Sequence, residues 1–232
     1  MLAWVDRAIP QPKGAGYRYA VVKLQRQTTV AEITLFELGP TRSGRVQWTL
    51  LEAGLDYESI GNDVEIIGSA ELRKVHPLGK LPAAIIDGKP LFESAAIVSA
   101  IADLVPEKNL IAKPGSWSRY LHYQWVSFAL SEMEAFVQSN EINSIDFILP
   151  EDQRVPEIIA QNSMLYRKGA AVLDDVLGKA RYLVDDRFSV TDIFVGYTVN
   201  WGYAEGLLDD CRNLQAYLGR LFERDCCTLE RH

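Results

Sequence analysis

The feature that most restricts what this chain can fold into is a change of texture at Val105–Ser116 (VPEKNLIAKPGS), a short stretch with two prolines and a glycine. Before it, apolar runs of strand and helix type alternate at short length; after it, the periodicity is almost wholly helical. Glu32–Leu38 (EITLFEL) alternates and is rich in β-branched and aromatic residues, as a half-buried strand does. Ser43–Ala53 sets Val46, Leu50 and Ala53 on one helical face and stops at Gly54, a natural left-handed C-cap. Asp56–Ile60 reads as a second strand, followed by a helix-like stretch. Pro82–Ile86 and Pro90–Phe92 flank Asp87-Gly88, a strong hairpin signal. Ser94–Leu104 then gathers Ala96, Ile97, Ala100, Ile101 and Leu104 on one helical face. This order predicts a mixed sheet with helices packed on it.

After the linker, Trp117–Ser139, Val155–Gly178, Ser189–Gly206 and Asn213–Arg224 read as helices, with Pro150 breaking the pattern between the first two. The expected organisation is an N-terminal extension (1–31), an α/β domain (32–104), a linker (105–116) and an all-helical domain (117–232). The extension fits neither texture, apart from a short strand suggested at Tyr17–Leu24. No internal repeat or low-complexity tract is present.

Composition narrows the function classes. The chain of 232 residues has a net charge of −7, the wrong sign for a protein that binds nucleic acid by neutralising its backbone. No apolar run approaches the roughly 20 residues needed to cross a bilayer. The opening MLAWVDRAIPQPKGAGYR lacks a sustained apolar core, being interrupted by Pro10, Pro12 and Gly14, so no signal peptide is expected. Cys211, Cys226 and Cys227 form no CxxC pair. With His76, His122 and His232 they give no zinc-ligand spacing. The expectation is a cytoplasmic protein with reduced thiols, no metal, and no membrane or nucleic-acid partner.

Three local motifs carry chemistry, and each has two readings. Leu81-Pro82 opens a strand; a cis bond would turn the Leu81 amide and carbonyl outward to pair with an extended peptide, whereas a trans proline would simply mark the strand start. Glu93-Ser94 begins a helix; it offers a carboxylate for an ammonium group and a hydroxyl with free N–H groups for a carboxylate, or else Ser94 is an ordinary helix cap. Gly39-Pro-Thr-Arg-Ser43 leads into the first helix; Thr41 and Ser43 stand where the positive end of the helix dipole would favour a thiolate, or Ser43 is an N-cap.

The order and spacing of these motifs resemble the cytosolic glutathione transferase family, in its serine/threonine-type or atypical bacterial-like members. Residues from about Glu32 resemble its thioredoxin-like domain, and 117–232 its all-helical domain, so the resemblance runs to about Arg224. Phe188-Ser-Val-Thr-Asp192-Ile193 adds a capping box with the spacing of a hydrophobic staple, at the place of a buried folding signature in that family. The resemblance implies glutathione as co-substrate, lying along the first domain. Its cysteinyl backbone would pair with Leu81 beside Pro82, its γ-glutamyl head would meet Glu93 and Ser94, and Lys80 would reach the glycyl end. His76 is assigned no role and is expected to be a surface or packing residue.

The implied chemistry is thiol activation. A free thiol titrates near 8.5, and lowering that by about two units takes roughly 2.7 kcal/mol. A single charge-assisted hydrogen bond contributes about 1.5–3 kcal/mol. Here the sequence departs from the family: its usual serine position falls on Pro40 and its usual cysteine position on Arg42. The task shifts to Ser43 or Thr41, or to a backbone N–H with help from Arg42; Ser43 is the preferred candidate. The loop has no Tyr, which argues against a tyrosine-type member, and no Cys, which argues against mixed-disulfide chemistry.

On the long helix, Tyr120, Tyr123, Gln124, Ser127, Phe128 and Ser131 form a stripe that is either core or dimer contact, or the lining of a site for a small hydrophobic electrophile. Trp125 and Trp201 are expected in the helical core. The resemblance further implies a homodimer and a detoxifying transferase. Two rivals share the scaffold: a glutathione-dependent peroxidase, isomerase or etherase, and a non-catalytic binding module.

Overall fold

The computed structural model describes residues 31–61, 63–145 and 148–232. The strand suggested at 17–24, like most of the extension, lies outside the described residues. Four strands form one sheet: β1 (Ile33–Glu37), β2 (Glu58–Gly61), β3 (Ala83–Ile86) and β4 (Lys89–Phe92), in the order β2-β1-β3-β4. β1 runs parallel to β2 and antiparallel to β3, and β3 and β4 form the hairpin around Asp87-Gly88. This is the mixed sheet the sequence implied. The two first-domain helices, α1 (Ser43–Ala53) and α2 (Ser94–Leu104), have the expected bounds. The stretch between β2 and β3, read as helix-like, holds two single 3₁₀ turns at Val64–Ile66 and Leu72–Lys74.

α1 ends as its sequence dictates. Gly54 adopts φ +67, its N–H reaches the Leu51 carbonyl, and the Leu55 N–H reaches Leu50, closing a Schellman motif. A side chain at Gly54 would oppose that left-handed turn.

The second part consists of α3 (Trp117–Ala129), α4 (Ala135–Ser144), α5 (Ile158–Leu177), α6 (Val190–Ala204) and α7 (Arg212–Phe222). α3 and α4 are one helical rod joined by a single π turn at Leu130–Glu134. That insertion is not visible as a periodicity break, and it re-aims the residues that follow it. One buried cluster joins both parts. It includes Leu35 and Val46 from the sheet side, Ile97 and Ile101 from α2, and Met133, Leu173, Phe194 and Leu214 from the helices.

Two polar staples cross this apolar interface. Ser99 Oγ on α2 donates to the Ala95 carbonyl at 2.7 Å and lies 3.1 Å from His122 Nε2, while His122 Nδ1 is 2.9 Å from Thr191 Oγ1 on α6. Since the Ser99 proton is already given to Ala95, the His122 Nε2–H is the donor and Nδ1 accepts from Thr191. Burial, reinforced by the Arg119 charge, holds the His122 pKa down to about 4, so the ring works as a neutral link. Further along, Arg224 makes a bidentate pair with Glu52 at 2.7 Å and stacks 3.5 Å from the Phe188 ring, which in turn meets Trp48 of α1.

The chain's last residues return to the first helix. Thr228 Oγ1 donates to the Gly44 carbonyl at 2.9 Å, and the Tyr197 hydroxyl donates to the Thr228 carbonyl at 2.9 Å. A Cβ on Gly44 would fall 2.0 Å from that Tyr197 hydroxyl, so glycine is required by close approach.

The capping signature of α6 is present in full. Ser189 Oγ accepts from the Thr191 N–H, and the Asp192 carboxylate accepts from the Ser189 N–H at 3.0 Å, the Leu183 N–H at 3.1 Å and the Tyr217 hydroxyl at 3.1 Å. Complete burial pushes the Asp192 pKa up to about 6, against these donors that favour the carboxylate. Asp192→Ala leaves several buried donors without an acceptor and is expected to cost about 2–4 kcal/mol in urea denaturation. A loss below 1 kcal/mol would show that the box does not hold the domain.

Candidate functional site

Strand register brings the three motifs to one place. Phe36 pairs with Ala83 at the start of β3, and Ala83 pairs with Phe92 at the end of β4. The loop 38–42, Leu81-Pro82 and Glu93-Ser94 therefore leave the sheet at the same end. The Leu81-Pro82 bond is cis. Leu81 is half-buried and stands one step outside the ladder, which begins at Ala83. Gly39-Pro40 is a second cis bond.

Ser94 is not a cap. Glu93 occupies the N-cap position with φ +72 and ψ 114, a region that residues with a Cβ avoid, and its carboxylate makes no capping bond. Ser94 is the first helical residue, and its buried hydroxyl accepts from Arg45 Nη1 at 3.3 Å. Its proton is thereby left to donate. Among the described residues, the N–H groups of Ser94, Ala95 and Ala96 have no hydrogen-bond partner, so the positive end of α2 stands open.

The first helix is arranged differently. Its first-turn amides are already bonded: Ser43 N–H to Thr41 Oγ1 at 3.1 Å, Gly44 N–H to the Thr41 carbonyl and Arg45 N–H to the Arg42 carbonyl. Ser43 is completely buried, and its Oγ accepts from the Leu38 N–H at 3.3 Å. Thr41 is exposed; its hydroxyl donates to the Leu38 carbonyl at 2.5 Å and lies 3.0 Å from Ser43 Oγ. Each hydroxyl has one proton, so with that of Thr41 on Leu38, the proton between the two comes from Ser43. Ser43 does not cap the helix, since Arg42 holds the N-cap position. It sits inside the loop and holds it, while Thr41 is the hydroxyl at the surface.

What ties these pieces together is a buried ion pair that no sequence motif announces. Arg45 is buried and places Nη2 2.5 Å from Glu134 Oε2 and 2.9 Å from Thr198 Oγ1, with Nη1 3.2 Å from Glu134 Oε1. Its guanidinium lies 4.0 Å from the Phe194 ring centre. Arg42, beside it in the loop, puts Nε 2.6 Å from Glu134 Oε1 and stacks 4.8 Å over Trp201. Burial opposes ionisation of Glu134, but the charges and hydrogen bonds of Arg45, then Arg42 and Thr198, outweigh it and bring its pKa down to about 2. Glu134 is the last residue of the π turn, so the extra residue there aims the carboxylate at α1.

The remaining expected residues fall around this centre. Lys80 is exposed just ahead of Leu81. His76 is buried, accepts from the Leu78 N–H and packs 4.8 Å from Phe92, a packing histidine. Tyr120, Tyr123, Gln124 and Ser127 on α3 and Ser131 in the π turn are exposed, while Phe128 is half-buried against Trp125. That stripe lies opposite the core-facing His122, Val126 and Ala129, so it is not core. Trp125 and Trp201 are half-buried rather than central.

Comparison with known proteins agrees with this architecture. Residues 31–103 match the family described as glutathione S-transferase, N-terminal domain. The glutathione S-transferase GstA of Escherichia coli O157:H7 is 27% identical over 182 residues, spanning 76% of this chain and 86% of that one. The structure of glutathione transferase URE2P6 from Phanerochaete chrysosporium, in complex with oxidized glutathione, is 26% identical with a TM-score of 0.73, covering 84% of this chain and 93% of that one. A Sphingomonad glutathione S-transferase complexed with glutathione is 27% identical with a TM-score of 0.70, covering 84% and 94%. A thioredoxin-like sheet followed by a helical part defines the class; within it, residues 31–103 match the glutathione S-transferase N-terminal domain, and the fold as a whole is similar to that of glutathione transferases.

Removing Glu134 tests the ion pair. Glu134→Gln leaves Arg45 buried without a counter-charge and is expected to destabilise the fold by about 3–5 kcal/mol. Because the folded pKa is lowered from 4.5 to about 2, the stabilisation is full above pH 4.5 and is lost as pH falls toward 2. Denaturation curves of the two proteins should therefore converge on acidification; a constant gap down to pH 2 would contradict the assignment.

Proposed function

We propose that this protein binds glutathione along the end of the sheet where the three motifs meet, and transfers its thiol to small hydrophobic electrophiles. The observation that carries this reading is the open N-terminus of α2. Its unpartnered amides and the free Ser94 proton suit the γ-glutamyl carboxylate, and the exposed Glu93 carboxylate beside them suits its ammonium group. The cis Leu81-Pro82 bond supports pairing of the cysteinyl backbone with Leu81, and Lys80 is exposed at the glycyl end. The two relatives solved with oxidized glutathione or glutathione support the same ligand for this chain.

In this arrangement the ligand sulfur lies over the N-terminal end of α1, beside Thr41. Thr41 turns its proton from the Leu38 carbonyl to the sulfur, and Ser43 holds the loop from below. The thiol proton passes to solvent, and the thiolate attacks an electrophilic carbon held against the helical part, forming the S–C bond as the leaving group departs as an anion; the exposed Tyr120 and Tyr123 offer aromatic surface there. Our reading also has a cytoplasmic homodimer acting in detoxification, with domain limits at 32–104 and 117–232.

Three variants test it. Ser94→Ala removes one hydrogen bond to a charged group, and calorimetry should show glutathione affinity falling by roughly ten- to hundredfold. Unchanged affinity would remove Ser94 from the site. Thr41→Ala should lower kcat for conjugation of a chlorodinitrobenzene-type substrate by about tenfold, with a stability change under about 1 kcal/mol. Ser43→Ala should do the reverse, costing about 1–3 kcal/mol of stability through the lost loop bonds. The opposite pattern would return the catalytic hydroxyl to Ser43.

A further inference from the structure

We infer that Thr228 is a positioning residue for the reaction: from the segment that follows α7, it fixes where the first turn of α1, and with it Thr41, stands against the sulfur. This rests on the glutathione reading above and deepens it.

Two kinds of restraint act on that turn. Within the loop, Thr41 Oγ1 bonds the Leu38 carbonyl and the Ser43 N–H, and Ser43 Oγ accepts from the Leu38 N–H. These bonds give loop 38–42 its shape, but all are local, and none sets its place relative to the helical part. Contacts from outside do so. Glu134 holds Arg42 and Arg45, and Arg45 in turn reaches Ser94. Separately, Thr228 Oγ1 donates to the carbonyl of Gly44, the residue between Ser43 and Arg45.

The Thr228 contact is held from every side. Its hydroxyl proton is given to Gly44, so the Tyr197 hydroxyl is the donor to both Thr228 Oγ1 at 2.6 Å and the Thr228 carbonyl at 2.9 Å. Burial pushes the Tyr197 pKa up to about 12, which keeps that proton in place near neutral pH. Beyond Thr228, Leu229 is buried beside Gly196, and the Glu230 carbonyl accepts from Asn200 Nδ2 at 3.0 Å. Gly196, Tyr197 and Asn200 all belong to α6, which also carries Thr198, a partner of Glu134. Because Gly44 has no Cβ to meet Tyr197, the α1 backbone comes within reach of the Thr228 hydroxyl.

The two outside contacts serve different ends of the ligand. The Arg45 branch ends on Ser94, at the γ-glutamyl head. The Thr228 branch ends on the backbone that carries Thr41 and Ser43, at the sulfur. A hydrogen bond from a loop hydroxyl depends steeply on distance and direction, and a displacement of about 1 Å can lower a rate by up to about a hundredfold. Removing the Thr228 hydroxyl relaxes this turn without leaving a buried charge unpaired.

The experiment compares Thr228→Val, which keeps the shape and loses the hydroxyl, and Thr228→Ser, which keeps the hydroxyl, with the unaltered protein. The kcat for a chlorodinitrobenzene-type substrate and its pH profile are measured at saturating glutathione, well below the melting temperature of each protein. Affinity for S-methylglutathione, which has no thiol, is read by calorimetry. Thr228→Val should lower kcat about three- to fivefold and raise the apparent pKa of the bound thiol by about half a unit. Thr228→Ser should recover most of both, and S-methylglutathione should bind all three proteins within about twofold. An unchanged kcat and pH profile in the Val variant overturn the inference while leaving glutathione binding intact. A Ser variant as impaired as Val overturns it too, as does a parallel loss of S-methylglutathione affinity, since either makes Thr228 a packing residue. Should the Val variant not fold, Tyr197→Phe, which removes the donor that holds Thr228, should raise the thiol pKa in the same direction, and no rise there overturns the inference. If the unaltered protein binds neither tripeptide, the functional reading itself fails.

Discussion

Everything near the sheet end is organised by the Arg45–Glu134 pair. Burying two charges costs several kcal/mol per ion unless geometry and further hydrogen bonds offset it. Here much of the offset comes from neighbouring groups, although Arg45 Nε has no hydrogen-bond partner among the described residues. Thr198 serves both partners, Phe194 lies under the guanidinium, and Arg42 adds a second donor to the same carboxylate. The pair spans the two parts of the fold, so α1 cannot shift relative to the α3–α4 rod without breaking it. The same guanidinium steadies Ser94, linking the start of α1 to the start of α2.

That arrangement gives the two helix starts different characters. α1 has turned its own loop into a cap, with its amides satisfied by Thr41 and Arg42. α2 has no cap at all, and Glu93 is held in an unfavourable backbone region directly before it. An uncapped helix start beside a strained residue is poor for stability and well suited to receiving an anion.

Much of this was legible from residues alone, and the reasons are local. Gly54, Asp87-Gly88 and the Ser189–Asp192 box each encode a backbone conformation or a cap within a few residues, so their elements appeared where expected. Leu81-Pro82 and Glu93-Ser94 fall beside the strand and the helix expected there, because the patterns of those elements are plain. What was not legible depends on distant partners. Ser43 looks like a helix-capping serine until the burial of the loop is known, and Ser94 looks like one until Arg45 reaches it from the neighbouring helix. Glu134 sits in SEMEA, an ordinary helical run, and only the π turn gives it a role. Nothing in spacing distinguishes an arginine that will be buried from one that will face water.

Through Thr228, a residue 184 positions further along the chain is bonded to the carbonyl of Gly44, and Tyr197 fills the space that glycine leaves empty. The first turn of α1 is thus clasped from outside the sheet-bearing part, so losing the Thr228 contact would loosen that turn while leaving every residue of the sheet in place.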